Sequence, residues 1–147
     1  CKGRVIGITG SNGKSTVTSM SGAILRAAGL PGGTGGNLAI PFCELLADDG
    51  PGAVHALELS SFQLEAVDAF SPEIAAILNL SPDHLDRYPG YDAYARAKAR
   101  LLEVQPSDAA AILTDSGGMQ EEAARLEAEA AKRSRVNSSV WPVWPSL

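Results

Sequence analysis

At 147 residues, with a formal net charge of -5 and a pI near 4.9, the chain can form one domain burying roughly 70% of its unfolded surface, and is too short for a multi-domain enzyme. The acidic balance argues against nucleic acid or an anionic membrane as the main partner, and no apolar run reaches the roughly 20 residues of a membrane span. Two cysteines, Cys1 and Cys43, make neither a metal spacing nor a disulfide framework, which fits a reducing cytosol.

The first element predicted is a buried strand opening at Val5, which runs into Gly10-Ser11-Asn12-Gly13-Lys14-Ser15-Thr16. That run is a phosphate-binding loop. Gly10 and Gly13 let backbone N–H groups converge on an anion, and the following helix adds the positive end of its dipole. Lys14 supplies a point charge for the β- and γ-phosphates, and the Ser15 hydroxyl is placed to ligate Mg²⁺. Ile8 stands where the longer G-x-x-x-x-G-K-[ST] pattern has glycine, so this is the shorter form. A glycine turn that binds nothing is the competing reading, but it gives no purpose to a lysine at a helix start.

In the helix that follows, Val17, Met20, Ile24 and Ala27 or Ala28 recur at helical spacing, and Gly29 is the left-handed residue expected to end it. Residues 30–37 read as a glycine-rich loop. Residues 53–60 and 74–80 read as strands, nearly all apolar as strands covered on both faces are. His55, inside the first of these with no polar company, reads as structural. Glu58 lies at the strand's end, where it is a helix-capping or partly exposed strand-end acid, or else a ligand for a nucleotide-bound Mg²⁺. Between residues 79 and 88, Asn79-Leu80-Ser81-Pro82-Asp83-His84-Leu85-Asp86-Arg87-Tyr88 is a polar cluster that turn chemistry alone could also explain.

Residues 91–105 are predicted as a helix with Tyr94, Ala97 and Leu101 on one side, and residues 109–114 as another buried strand. A further helix follows from Met119, Ala123, Leu126 and Ala130, and residues 134–147, with Trp141 and Trp144, read as a poorly ordered tail. Strands alternating with helices imply an α/β fold, a mostly parallel sheet with helices on both faces. Ligands gather beyond the carboxyl ends of such strands, and the polar residues fall there.

Five strings in register, GITGSNGKST, GGNLAIP, LELSSFQLE, NLSPDHLDRY and YARAKARLL, resemble the central, ATP-binding domain of the Mur ligases from about Val5 to Thr114. LELSSFQ favours the branch that adds D-glutamate to UDP-N-acetylmuramoyl-L-alanine. The resemblance implies that Gly10, Ser11, Asn12, Gly13, Lys14, Ser15 and Thr16 hold the ATP phosphates, with Ser15 also on Mg²⁺. It assigns Glu58 to the nucleotide magnesium, His84 to a second Mg²⁺ near the acceptor, and Asn37 to the muramoyl substrate. Lys98 would be carbamylated, turning a cation into a carboxylate-like metal ligand. Lys14, His84 and Lys98 would then be the catalytic set of an acyl-phosphate mechanism.

The implied organisation is a partial central domain over residues 1–118 and a divergent helix and tail over 119–147. The chain begins with Cys rather than Met. It is expected to be a truncated, inactive piece of a monomeric, cytoplasmic enzyme, with no nucleic-acid partner and no membrane insertion. Another Mur or folylpolyglutamate-type ligase, or a nucleotide-binding fragment without turnover, are the alternatives.

Overall fold

The computed structural model describes residues 1–83, 86–106 and 108–113. The chain runs β1 (Arg4–Thr9), α1 (Lys14–Ala27), β2 (Thr34–Gly36), α2 (Phe42–Leu45), a short 3₁₀ turn (Leu46–Asp48), β3 (Val54–Glu58), α3 (Ser61–Glu65), β4 (Ile74–Ile77), α4 (Tyr91–Glu103) and β5 (Ala110–Leu113). The strands make one sheet in the order β2-β3-β1-β4-β5, and every pairing is parallel. Successive residues of a strand face opposite sides, so Ile6 and Ile8 lie on one face of β1 and Gly7 and Thr9 on the other.

The Gly7 face carries α3 and α4. A β-carbon on Gly7 would meet Leu101 of α4 at 2.9 Å, so the helix rests almost on the strand's backbone. Leu59, Leu64, Ala75 and Leu101 form one buried cluster there, and Ile77, Leu80 and Ala95 form a second. α3 packs beside α4 on this side. Its start is fixed by a capping box: the Ser60 hydroxyl accepts from the Gln63 N–H at 3.2 Å, while the Gln63 side chain accepts from the Ser60 N–H at 2.9 Å.

α1 covers the opposite face, against β1, β2 and β3, and here the structure departs from the sequence pattern. Its buried residues are Thr18 and Gly22. Met20 and Ile24 point outward, 59% and 66% exposed. Any β-carbon on Gly22 would collide with the Thr34 side chain, so close approach to the sheet selects small residues on the inner side. The helix's rotation follows from its start at the phosphate loop rather than from its apolar stripe. Its end is as expected: the Gly29 N–H donates to Arg26 O and the Leu30 N–H to Leu25 O, with Gly29 at φ 70°, a Schellman turn.

Two further expectations are corrected. Residues 30–37 contain β2, a glycine strand of low intrinsic propensity that forms because β3 offers it a partner, with the Ala56 N–H donating to Gly33 O and the Asn37 N–H to Glu58 O. β5 is a strand but not a buried one: Ala110, Ala111 and Ile112 are exposed, since the strand lies at the sheet's edge beside β4 alone among the described residues. The helix expected around Met119–Ala130, the tail and residues 119–147 as a whole lie outside the described residues.

Candidate functional site

The loop joining β1 to α1 sits at the carboxyl edge of the sheet, with β3 and β4 ending on either side of it. Gly13, at φ 80°, is the N-cap of α1, and no side chain caps the helix. The first-turn N–H groups have no partners within the helix, so the loop and helix start can bind an anion through backbone donors and the helix dipole. Lys14 Nζ lies back over the loop, donating to Gly10 O at 3.0 Å and Ser11 O at 3.1 Å. Ser15 and Thr16 are exposed in the first turn.

The loop is held from β4 and α4. The Ser11 N–H donates to Asn79 O at 3.0 Å. The Asn12 N–H donates to Asn79 Oδ1 at 2.8 Å, and Asn79 Nδ2 donates back to Asn12 O at 2.9 Å. The Ser11 hydroxyl accepts from the Ser81 N–H at 3.0 Å and lies 3.0 Å from the Tyr94 hydroxyl. Burial raises the Tyr94 pKa above its ordinary value, so the phenol stays protonated as a partner for Ser11. Sequence reading missed both anchors. Asn79 passed as turn chemistry and Tyr94 as part of an apolar helix face.

Glu58 ends β3 beside α1, only 3% exposed. Its Oε2 accepts from Ser15 Oγ at 2.7 Å and its Oε1 from Asn37 Nδ2 at 2.9 Å. The structure thus brings together three residues singled out separately in the sequence. The capping reading of Glu58 falls, since α3 is capped by Ser60. A carboxylate buried among neutral donors, next to a hydroxyl, is a hard oxygen site that a divalent cation would suit.

Lys98, on α4, is 2% exposed. Its Nζ lies 3.5 Å from Thr9 Oγ1 and 4.8 Å from the centre of the Tyr94 ring. Burial first, and then repulsion by Lys14, push its pKa down to about 8. Tyr94 therefore touches both the phosphate loop and Lys98. His84, the remaining predicted site residue, lies outside the described residues.

At the opposite, amino edge of the sheet, His55 does have polar company. Its Nε2 is 3.1 Å from Asp49 Oδ1, a pairing that bridges a loop and is invisible in local sequence. One atom each of Cys1, Asp49 and His55 lies within 4.8 Å of the others. The Asp49 carboxylate is already occupied: it accepts from the Lys2 N–H and, at 2.8 Å, from the Gly3 N–H. The bond from Lys2 is the main reason its pKa falls to about 2. His55 and Asp49 pin the start of the chain, and His55 remains structural.

Residues 8–139 match the Mur ligase middle domain. Over 108 residues the chain is 52% identical to the UDP-N-acetylmuramoylalanine--D-glutamate ligase of Anaeromyxobacter dehalogenans, covering 74% of this chain and 23% of that protein. Over 114 residues it is 53% identical to the ligase of the same name from Koribacter versatilis, covering 76% and 24%. The chain therefore spans about a quarter of the length of these curated relatives. Among solved structures, a UDP-N-acetylmuramoyl-L-alanyl-D-glutamate--2,6-diaminopimelate ligase aligns with a TM-score of 0.68 at 26% identity, over 88% of this chain and 30% of its own. The MurF ligase of Thermotoga maritima, solved in complex with ADP, aligns with a TM-score of 0.65 at 21% identity, over 85% and 31%, and shows the shared fold.

Proposed function

The chain belongs to the Mur ligase family, as its middle domain, and we propose that the whole protein uses ATP to join D-glutamate to UDP-N-acetylmuramoyl-L-alanine during cytoplasmic peptidoglycan synthesis. The observation that carries this reading is the identity of 52% and 53% to ligases named for that reaction. It extends across a phosphate loop with a buried acid beside it. No helix among the described residues is long and apolar enough to cross a membrane.

An amide cannot form from a carboxylate and an amine in water unless the carboxylate is activated. Transfer of the γ-phosphoryl group makes an acyl phosphate, attack by the D-glutamate amine gives a tetrahedral intermediate, and phosphate leaves. The first step brings two anions together. Lys14 answers part of that repulsion: its Nζ, held now by the carbonyls of Gly10 and Ser11, needs only a side-chain rotation to meet the phosphates. The loop of residues 10–16 holds the triphosphate through the backbone N–H groups from Gly13 onward, the helix end and the hydroxyls of Ser15 and Thr16.

Ser15 and Glu58 fit a magnesium ion, and they would hold it; when bound, the ion screens the phosphate charge and orients the γ-phosphoryl group. Asn37, which orients the Glu58 carboxylate, has its remaining polar atoms for the muramoyl substrate. His84 is assigned to a second metal near the acceptor. Lys98 is the candidate for carbamylation. A pKa near 8 keeps about a quarter of the amine neutral at pH 7.5, against about one part in a thousand at the ordinary 10.5, and only the neutral amine reacts with carbon dioxide.

Incubating the full-length protein with Mg·ATP, UDP-N-acetylmuramoyl-L-alanine and a panel of amino acids, with mass detection of product, tests this reading. Product with D-glutamate alone is expected. Preference for diaminopimelate or another acceptor would reassign the protein within the family, and ATP binding without any amide product would refute ligation.

A further inference from the structure

Asn79 follows β4, and its carboxamide is committed to the phosphate loop. Oδ1 takes the Asn12 N–H and Nδ2 gives to the Asn12 carbonyl, while the Asn79 backbone carbonyl takes the Ser11 N–H. Two N–H groups and one carbonyl of the loop are thereby turned toward β4. Asn12 itself is exposed and sits between Gly10 and Gly13, both at positive φ. Backbone with glycine on either side has many alternatives open to it, and the carboxamide is the side chain that fixes Asn12 among the described residues.

We propose that Asn79 is a positioning residue for phosphoryl transfer: its carboxamide clasps Asn12 and so holds the loop in the shape that receives nucleotide phosphates. Asn79 acts through the loop, and the proposal rests on the reading of that loop as a nucleotide site. Turning the Asn12 peptide toward β4 leaves the N–H groups from Gly13 onward to converge on the anion. Without the clasp the loop spends part of its time in other shapes, and the apparent affinity falls by the fraction of time lost. The two side-chain bonds lie near the surface. Their loss should therefore affect the loop's order far more than the stability of the core.

The test uses full-length protein and its Asn79→Ala variant. Calorimetric titration measures the Kd of a magnesium-bound, non-hydrolysable ATP analogue and, separately, that of UDP-N-acetylmuramoyl-L-alanine. Amide hydrogen exchange reads residues 10–16. Two ordinary hydrogen bonds correspond to roughly tenfold in affinity. The expected result is an analogue Kd about ten times weaker, faster exchange confined to residues 10–16, and UDP-precursor binding and thermal midpoint both nearly unchanged. Analogue affinity within twofold of the native protein would overturn the proposal. So would parallel losses in both ligands with a lowered thermal midpoint, which would make Asn79 a general structural residue. If the native protein binds the analogue but not the UDP-precursor, the ligase reading falls while the nucleotide comparison still decides the role of Asn79. If it binds no analogue, the phosphate-loop reading and this proposal fall together.

Discussion

Replacing Lys98 by Met in the full-length protein should stabilise it at neutral pH while removing its activity. The reason lies in the burial of an ammonium group near Thr9 Oγ1 at 3.5 Å and the Tyr94 ring, where Asp83 and Glu58 offset only part of the cost of desolvation and of repulsion by Lys14. A pKa lowered from 10.5 to about 8 means that protonated Lys98 opposes folding by about 3 kcal/mol, on the scale of 1.36 kcal/mol per pH unit. Removing the charge also removes the cation–π contact, worth about 1 kcal/mol, so the net gain should be about 2 kcal/mol. The folded state binds the proton less tightly than the unfolded chain does. The penalty is therefore complete below pH 8 and disappears as pH rises toward 10.5, and native stability should climb across that interval relative to the Met variant. Urea unfolding of both proteins at pH 7, 8.5 and 10, in buffer freed of carbon dioxide, measures the difference. A Met variant less stable than the native protein at pH 7, or a difference independent of pH, would refute the argument from burial.

Lys14→Ala should reduce ATP-dependent ligation in the full-length protein at least a hundredfold, measured as phosphate release; near-normal turnover would remove the loop from the mechanism. Glu58→Gln preserves the shape of the side chain between Ser15 and Asn37 while deleting its charge. It should raise the magnesium concentration needed for half-maximal activity about tenfold or more with little change in thermal midpoint, and an unaltered magnesium dependence would make Glu58 structural. Gly22→Val should cost about 1–3 kcal/mol of stability in chemical denaturation, because the added methyls meet Thr34. Retained stability would mean that α1 can back away from the sheet.

What could be read from sequence was whatever is local. The phosphate loop, the Schellman turn at Gly29 and the strand containing Glu58 each lie within one short window, and each stands where it was expected. The site's cohesion is not local. Asn79 meets Asn12 across 67 residues and Tyr94 meets Ser11 across 83, so nothing near either residue announces its partner. Periodicity found α1 but chose the wrong side of it: Met20 and Ile24 satisfy the helical repeat, yet Thr18 and Gly22 face the sheet. β2 escaped detection for a related reason, since a strand made of Thr34, Gly35 and Gly36 exists through its partner and not through its own preferences.

The strand order has a consequence for how the molecule comes into being. β1, the middle strand, is made first, yet its neighbours are β3 and β4, and fifty residues separate Thr9 from the Leu59 carbonyl it bonds. Closing such long loops precedes any gain from the contacts they bring, which slows the folding of parallel sheets. During synthesis the phosphate loop emerges ahead of the strands that flank it and must wait for Asn79, then Tyr94, to be anchored. Acquisition of nucleotide affinity on the ribosome would therefore begin with the arrival of Asn79 and be completed by α4, and a chain arrested before β4 would carry the whole glycine motif without the means to hold it in place.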